Sequence, residues 1–200
     1  MRLCMKLWIA SLILPTCFAC AQEIYHPPDP ALMARLSYDN SGVVVHDQMQ
    51  RICIAVSRDG EYHIMRSLDD GRLQRLQGKL PKEEFDKLSQ LIEAPDFRSL
   101  SGYHGGLVRQ EAETFAAEIP SASHSSDAAQ SSPEKDVWQL RWMNGDRENP
   151  FPPAVSKIVG WLRNFQPKDT KSFDYSEYPD VCPAGGFRFV QPSVAENSQP

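Results

Sequence analysis

The clearest structural signal in the chain lies in residues 51–67, which read RICIAVSRDGEYHIMRS. Residues 51–57 alternate isoleucine and valine with cysteine and alanine, so both faces are apolar and a central, covered strand is predicted. Asp59-Gly60 then predicts a tight hairpin turn with two positive-φ positions, and residues 61–67 return as the second strand. This hairpin is the nucleus of the predicted sheet.

The chain continues through a turn at residues 69–71 into a third strand over residues 72–77, whose irregular pattern predicts a bulge or an irregular edge. Pro81 marks the start of a helix, because proline suits the first turn and the acidic residues after it suit the positive end of the helix dipole. The helix ends before Pro95, and its apolar side chains recur at helical spacing: Phe85, Leu88, Leu91 and Ile92.

The second half of the chain repeats this order. Residues 107–119 form a weak strand pattern, and residues 136–143 form a stronger one with Trp138, Leu140 and Trp142 on one face. Asn144-Gly145 predicts a second hairpin, and the prolines after it open a second helix. The apolar stripe of that helix consists of Val155, Ile158, Val159, Leu162 and Phe165.

Strands, helix, strands and helix in this order predict an α+β fold. We expect a small antiparallel sheet built from hairpins, with two helices packed on one face. The predicted organisation is a signal peptide (1–21), a flexible proline-containing leader (22–42), one domain (43–165) with a disordered insert (120–136), and an extended tail (166–200).

The leader and the insert are predicted from composition. Asp29-Pro30 favours the start of one short helix that runs through Ser37. Residues 121–132 contain six serines and three alanines and no larger aliphatic side chain. Such a segment cannot recover its ordering entropy by burial, so we expect a mobile loop.

The N-terminus has the features of a bacterial export signal. Arg2 and Lys6 precede a short apolar run, and small residues at positions 19 and 21 offer a cleavage site before Gln22. The run is shorter than the ~20 residues of a membrane-spanning helix. We therefore expect a secreted or periplasmic protein with no membrane span in its mature form. The alternatives are an uncleaved anchor, a buried helix, or a lipoprotein modified at Cys17 or Cys20.

The charge of the chain argues against nucleic acid as a partner. The net charge is −5, and cleavage after residue 21 removes Arg2 and Lys6, which makes it −7. An acidic protein repels phosphate backbones, and no local run of lysine or arginine offsets this.

Cleavage of the signal peptide also determines which cysteines remain in the mature chain. Cys4, Cys17 and Cys20 leave with the signal, and Cys53 and Cys182 remain. Two cysteines in an oxidising compartment can pair, which would tie the tail back to the first strand. The alternative is a core thiol at Cys53 and a tail thiol at Cys182.

Catalytic and metal-binding patterns are missing from the sequence. No G-x-S-x-G motif accompanies the esterase-like His104-Gly105-Gly106, and no His-x-x-x-His or Cys-x-x-Cys remains in the mature chain. Asp174, Glu177 and Asp180 lack the glycine and closing glutamate of a calcium loop. We therefore predict no catalytic, cofactor-binding or metal-binding residues.

Three residues have side chains suited to catalysis but are predicted to have other roles. Glu111 and Glu113 share one face of a strand, as paired carboxylates of a glycosidase would, but so small a domain favours a solvated face. His63 is predicted to lie on the same hairpin face as Val56, as a surface or edge histidine.

Five segments resemble a group of exported bacterial α+β proteins of unknown function: residues 80–85, 95–100, 144–145, 152–153 and 158–162. The resemblance spans residues 51–165. It implies an exported α+β protein and supplies no catalytic residues.

These observations predict a non-enzymatic exported module that binds protein or cell-wall components of the bacterial envelope, without a cofactor. Trp138 and Trp142 are expected in the core, and they would form a binding patch only if they faced outward. The tail rings of Tyr175 and Tyr178 are further interaction candidates. One alternative is a peptidase-inhibitor-like protein. The other is a small extracytoplasmic hydrolase that uses scattered polar side chains: His63, His104, Glu111 and Glu113.

Overall fold

The computed structural model of the protein describes residues 31–40, 51–67, 72–105, 112–120, 137–174, 176 and 181. The strands are β1 (Leu32–Asp39), β2 (Arg51–Ser57), β3 (Glu61–Ser67), β4 (Leu73–Lys79), β5 (Gly102–His104), β6 (Ala112–Pro120), β7 (Val137–Gly145) and β8 (Lys171–Ser172). The helices are α1 (Lys82–Glu93), α2 (Pro95–Arg98) and α3 (Pro153–Asn164).

All eight strands belong to one sheet in the order β5-β7-β6-β1-β2-β3-β4-β8. The pairs are antiparallel except β5 with β7, which is parallel. The predicted α+β class is confirmed. The sheet is larger than predicted, and α2 is a third helix that the sequence analysis did not anticipate.

Strand β1 corrects the predicted leader. It lies between β2 and β6 in the middle of the sheet, where Leu36 pairs with Ile54 on one side and Ala117 on the other. The predicted helix up to Ser37 is therefore wrong, and the core begins at Leu32 rather than at residue 43. Ala34, Leu36 and Tyr38, at every second position of β1, are almost completely buried in the core that the sheet shares with the helices, as the two-residue period of a strand requires.

The β2–β3 hairpin is confirmed, with Ile54 paired to Ile64. Its turn differs in detail from the prediction, because only Gly60 has a positive φ, at 88°. The Asp59 side chain accepts a hydrogen bond from the Glu61 backbone N–H at 3.0 Å instead. This Asx turn reverses the chain direction with one residue in the left-handed backbone conformation rather than two.

The three helices cover one face of the sheet and share one hydrophobic core with it. The predicted stripe of α3 is buried throughout. Full burial of an aliphatic side chain contributes about 1.5–3 kcal/mol, so this packing fixes the position of α3.

The opposite face carries a second, smaller cluster of Cys53, Met65, Phe173 and Val181. His63 lies on this face, because it pairs with Ala55, whereas Val56 pairs with Tyr62 on the helix-covered face. The predicted placement of His63 beside Val56 is therefore wrong by one position of the strand register.

The segment after β7 corrects the second predicted hairpin. Gly145 accepts a backbone hydrogen bond from Glu148 at 2.9 Å, and Asp146 and Arg147 both have positive φ, at 50° and 61°. This is the geometry of a hairpin turn. The chain then enters α3 instead of a strand, because the prolines at 150, 152 and 153 cannot donate to a ladder.

Several predictions lie outside the described residues: the signal peptide, the insert at 121–136, Glu111, Tyr175, Glu177, Tyr178, Asp180 and Cys182. The described part of the strand predicted over residues 107–119 is β6, and Pro120, predicted as the first residue of the insert, belongs to this strand.

Candidate functional site: a lysine-lined cleft

A cleft of about 540 Å³ opens between α1 and α3, at the end of the sheet where β3 and β4 lie. This volume is in the range of small-molecule sites. The lining residues are Tyr62, Lys79, Pro81, Glu84, Lys87, Leu91, Lys157, Gly160, Trp161, Asn164, Phe165, Gln166 and Lys168.

Helical spacing brings the walls of the cleft together. Glu84, Lys87 and Leu91 follow one another at intervals of three and four along α1, so they share a face. Lys157, Trp161 and Asn164 share a face of α3 in the same way, beside the stripe that packs on the sheet. The two faces meet across the cleft.

Trp161 ties the two helices at the base of the cleft. Its indole N–H donates a hydrogen bond to Glu84 Oε2 at 2.7 Å. Its ring stacks on Phe165 with a centroid distance of 5.2 Å and an interplanar angle of 20°. Both rings are buried, so they form the floor rather than an exposed stacking platform.

The hydroxyl oxygen of Tyr62 is an unusual polar atom of the site. The residue is 1% exposed, and its ring packs edge-on against Phe165 at 5.4 Å. The hydroxyl is buried and has no hydrogen-bond partner among the described residues. Burial raises the pKa of Tyr62 above 10.0, an effect that the charge of Arg66 partly offsets. At neutral pH the hydroxyl is therefore protonated, and its O–H is a hydrogen-bond donor with no acceptor among the described residues.

Four lysines line the same cleft: Lys79, Lys87, Lys157 and Lys168. All four are exposed, and within the described part of the chain no ion pair holds any of them. Lys82 on α1 differs, because it pairs with Asp86 at 2.5 Å. Glu84 is the only acid among the described lining residues, so the lining has a formal charge of +3 in a chain of −5.

This cluster was not predicted, because the sequence contains no local run of lysine or arginine. The four lysines come from β4, α1, α3 and the segment after α3, so no short run reveals them. The available signal was the helical spacing of Lys157, Trp161 and Asn164.

The side chains of the hydrolase alternative do not meet among the described residues. His63 on β3 and His104 on β5 are five strand positions apart in the sheet, or about 24 Å at ~4.8 Å per strand. Glu113 is not on a freely solvated face, because its carboxylate accepts hydrogen bonds from the Tyr38 hydroxyl at 2.7 Å and Asn144 Nδ2 at 3.0 Å.

Trp138 and Trp142 lie on the helix-covered face and pack against the core. The Trp138 indole N–H donates to the Arg98 carbonyl at 3.0 Å, so this ring lies beneath α2 rather than α3. Trp142 donates to the Asn149 carbonyl at 3.1 Å and stacks on His104. Trp138 and Trp142 therefore pack against the core and do not form an outward-facing patch.

Cys53 is buried on the opposite face, in the same cluster as Val181. Val181 immediately precedes Cys182 in the sequence. The pairing of Cys53 with Cys182 itself stays a prediction, because Cys182 lies outside the described residues.

The described residues contain no helix long and apolar enough to cross a bilayer. They also hold no group of three or more histidine, cysteine or acidic residues arranged to bind a metal ion. Comparisons of the chain with protein-family models, curated proteins and solved structures find no significant match.

Proposed function

We propose that this chain is an exported, non-enzymatic binding module of the bacterial envelope, and that its lysine-lined cleft holds an anionic group of a protein or cell-wall partner. The observation that supports this most is the concentration of four lysines around one cleft of an otherwise acidic chain, none of them in an ion pair with another described residue.

The electrostatics favour an anionic ligand. Positive side chains that line a concave surface focus the local field and raise the local concentration of anions. The negative charge elsewhere on the chain disfavours anion binding outside the cleft. Each exposed lysine contributes little alone, since an exposed ion pair is worth about 0–1 kcal/mol, so the affinity depends on several lysines acting together.

The location of the module is proposed from its N-terminus. A basic start, a short apolar run and small residues before Gln22 favour export and cleavage.

The Cys53–Cys182 disulfide belongs to this proposal. Val181, which immediately precedes Cys182 in the sequence, packs in the same cluster as Cys53, and this supports the proposed pairing. An oxidising compartment outside the cytoplasm would allow the bond to form and persist.

A retention experiment tests the proposed function. The full chain, expressed with its own N-terminus and purified from the envelope, is mixed with beads bearing an acidic polymer, polyglutamate or polyphosphate, or with neutral dextran beads. The test variant is Lys87→Gln/Lys157→Gln. The matched control is Lys82→Gln/Lys171→Gln, which removes the same charge from residues that do not line the cleft.

We expect the wild type and the control to be retained on the acidic beads and the cleft variant to elute at lower salt. Retention should weaken between about 50 and 500 mM NaCl, because exposed charges are screened. Equal elution of the cleft and control variants would contradict the proposal.

A further inference from the structure

We infer that the cleft takes a phosphate monoester of a polyol, with the phosphate held by the lysines and an oxygen of the ligand accepting the Tyr62 O–H. This inference rests on the proposed function and specifies the ligand class of the same site.

The Tyr62 hydroxyl is the observation that points to a specific ligand rather than to general attraction. Buried polar groups in proteins almost always have a hydrogen-bond partner, and an exception calls for an explanation. Here the donor is buried next to Gly78, belongs to a residue that lines the cleft, and has no partner among the described residues. A ligand oxygen at the base of the cleft would satisfy it.

The number of cations favours phosphate over carboxylate. A carboxylate carries a single negative charge, whereas the described lining contains four lysines and one acid. Lysines are point charges that approach from different directions, here from β4, α1, α3 and the segment after α3. A phosphate monoester carries about −1.5 to −2 charge at neutral pH and three acceptor oxygens, which suits several lysines at once.

The remaining walls favour an organic ester with hydroxyl groups over a bare anion. A cleft of about 540 Å³ is far larger than one phosphate ion needs. Leu91 and Pro81 offer apolar contact, while the exposed amides of Asn164 and Gln166 can donate to and accept from hydroxyls. Glycerol phosphates and sugar phosphates combine these features.

The same monoester chemistry occurs in soluble polyol phosphates and on membrane surfaces that display phosphatidic acid. Isothermal titration of the full chain purified from the envelope uses glycerol 3-phosphate as the soluble probe. Glycerophosphoglycerol, a diester, and glycerol are the comparison probes. Vesicles of phosphatidylcholine with phosphatidic acid, or with the diester phosphatidylglycerol, form the membrane arm.

We expect the monoester to bind more tightly than the diester, and glycerol not to bind. Lys87→Gln and Lys157→Gln should each weaken monoester binding about two- to fivefold, while Lys82→Gln leaves it unchanged. Tyr62→Phe should weaken it about tenfold, the usual effect of losing a hydrogen bond to a charged acceptor. Its thermal midpoint should not fall, because it removes a hydroxyl that has no partner, so weaker binding could not be attributed to unfolding.

The soluble and vesicle titrations distinguish a soluble phosphate ester from a membrane-borne one. Binding of glycerol 3-phosphate without vesicle binding assigns the site to soluble esters, and preferential binding to phosphatidic acid vesicles assigns it to a membrane-borne ester. Equal affinity for monoester and diester, or binding that Tyr62→Phe leaves unchanged, would overturn the inference. Lysine-dependent retention on acidic beads would then still support the proposed function.

Discussion

Replacing Gly78 with alanine tests the packing at the base of the cleft. Gly78 on β4 pairs with Tyr62 on β3. A Cβ at Gly78 would lie 2.9 Å from the Tyr62 hydroxyl oxygen, 3.2 Å from Cζ and 3.3 Å from Cε1. Tyr62 cannot swing away freely, because it is 1% exposed and Phe165 packs against it. Overpacking of this kind costs about 1–3 kcal/mol.

The matched control is Gly160→Ala on α3. A Cβ there meets no heavy atom within 4 Å, so alanine should stabilise the helix by about 0.5–1 kcal/mol. Urea unfolding followed by circular dichroism should move the midpoint of Gly78→Ala down and that of Gly160→Ala up, with an unchanged slope in both.

A double mutant assigns the cost to the predicted contact. Tyr62→Phe removes the atom at 2.9 Å and leaves the contacts at 3.2 and 3.3 Å. Gly78→Ala should therefore cost less in the Tyr62→Phe background, with a coupling free energy of about 0.5–1.5 kcal/mol. A neutral Gly78→Ala with no coupling to Tyr62→Phe would refute this account of the site.

Three further predictions concern other parts of the molecule. Burial lowers the pKa of His63 below 6.5, and the hydrogen bond to Gln77 only partly offsets this. As the pH drops through about 6.5, the unfolded state therefore binds the proton more readily than the native state, and the free energy of unfolding falls. His63→Gln should flatten the pH dependence of the urea midpoint, measured from about pH 8 to pH 5. If the Cys53–Cys182 disulfide forms, reduction should lower stability by about 3–5 kcal/mol, whereas two alkylatable thiols in the native exported protein would exclude the bond. Trp161→Phe removes the donor to Glu84 and should lower stability by about 1–3 kcal/mol in the same unfolding assay, while no change would show that this contact does not tie α1 to α3.

Local patterns predicted the elements that depend on near neighbours. The β2–β3 hairpin follows from two-residue alternation on either side of Asp59-Gly60, and α3 follows from one apolar stripe after Pro153. In both cases the interactions that set the structure lie within a few residues of each other. A single sequence contains that information.

Features that depend on distant partners were not predictable in the same way. Strand β1 has apolar residues on spacings that fit a helix or a strand, and only its pairing with β2 and β6 decides between them. The cleft depends on how α1 packs beside α3, which no short motif specifies. The unpartnered Tyr62 hydroxyl is visible only once Gly78 and Phe165 are placed around its ring.

The most direct test of an anion site in the cleft is a nuclear magnetic resonance titration of the isotope-labelled protein with glycerol 3-phosphate. The Trp161 indole N–H, bonded to Glu84 at 2.7 Å, reports from inside the cleft. The indoles of Trp138 and Trp142, bonded to the Arg98 and Asn149 carbonyls, report from elsewhere. A saturable shift of the Trp161 resonance alone is the predicted result. A Trp161 resonance that stays fixed, or three indoles that drift together without saturation, would contradict it.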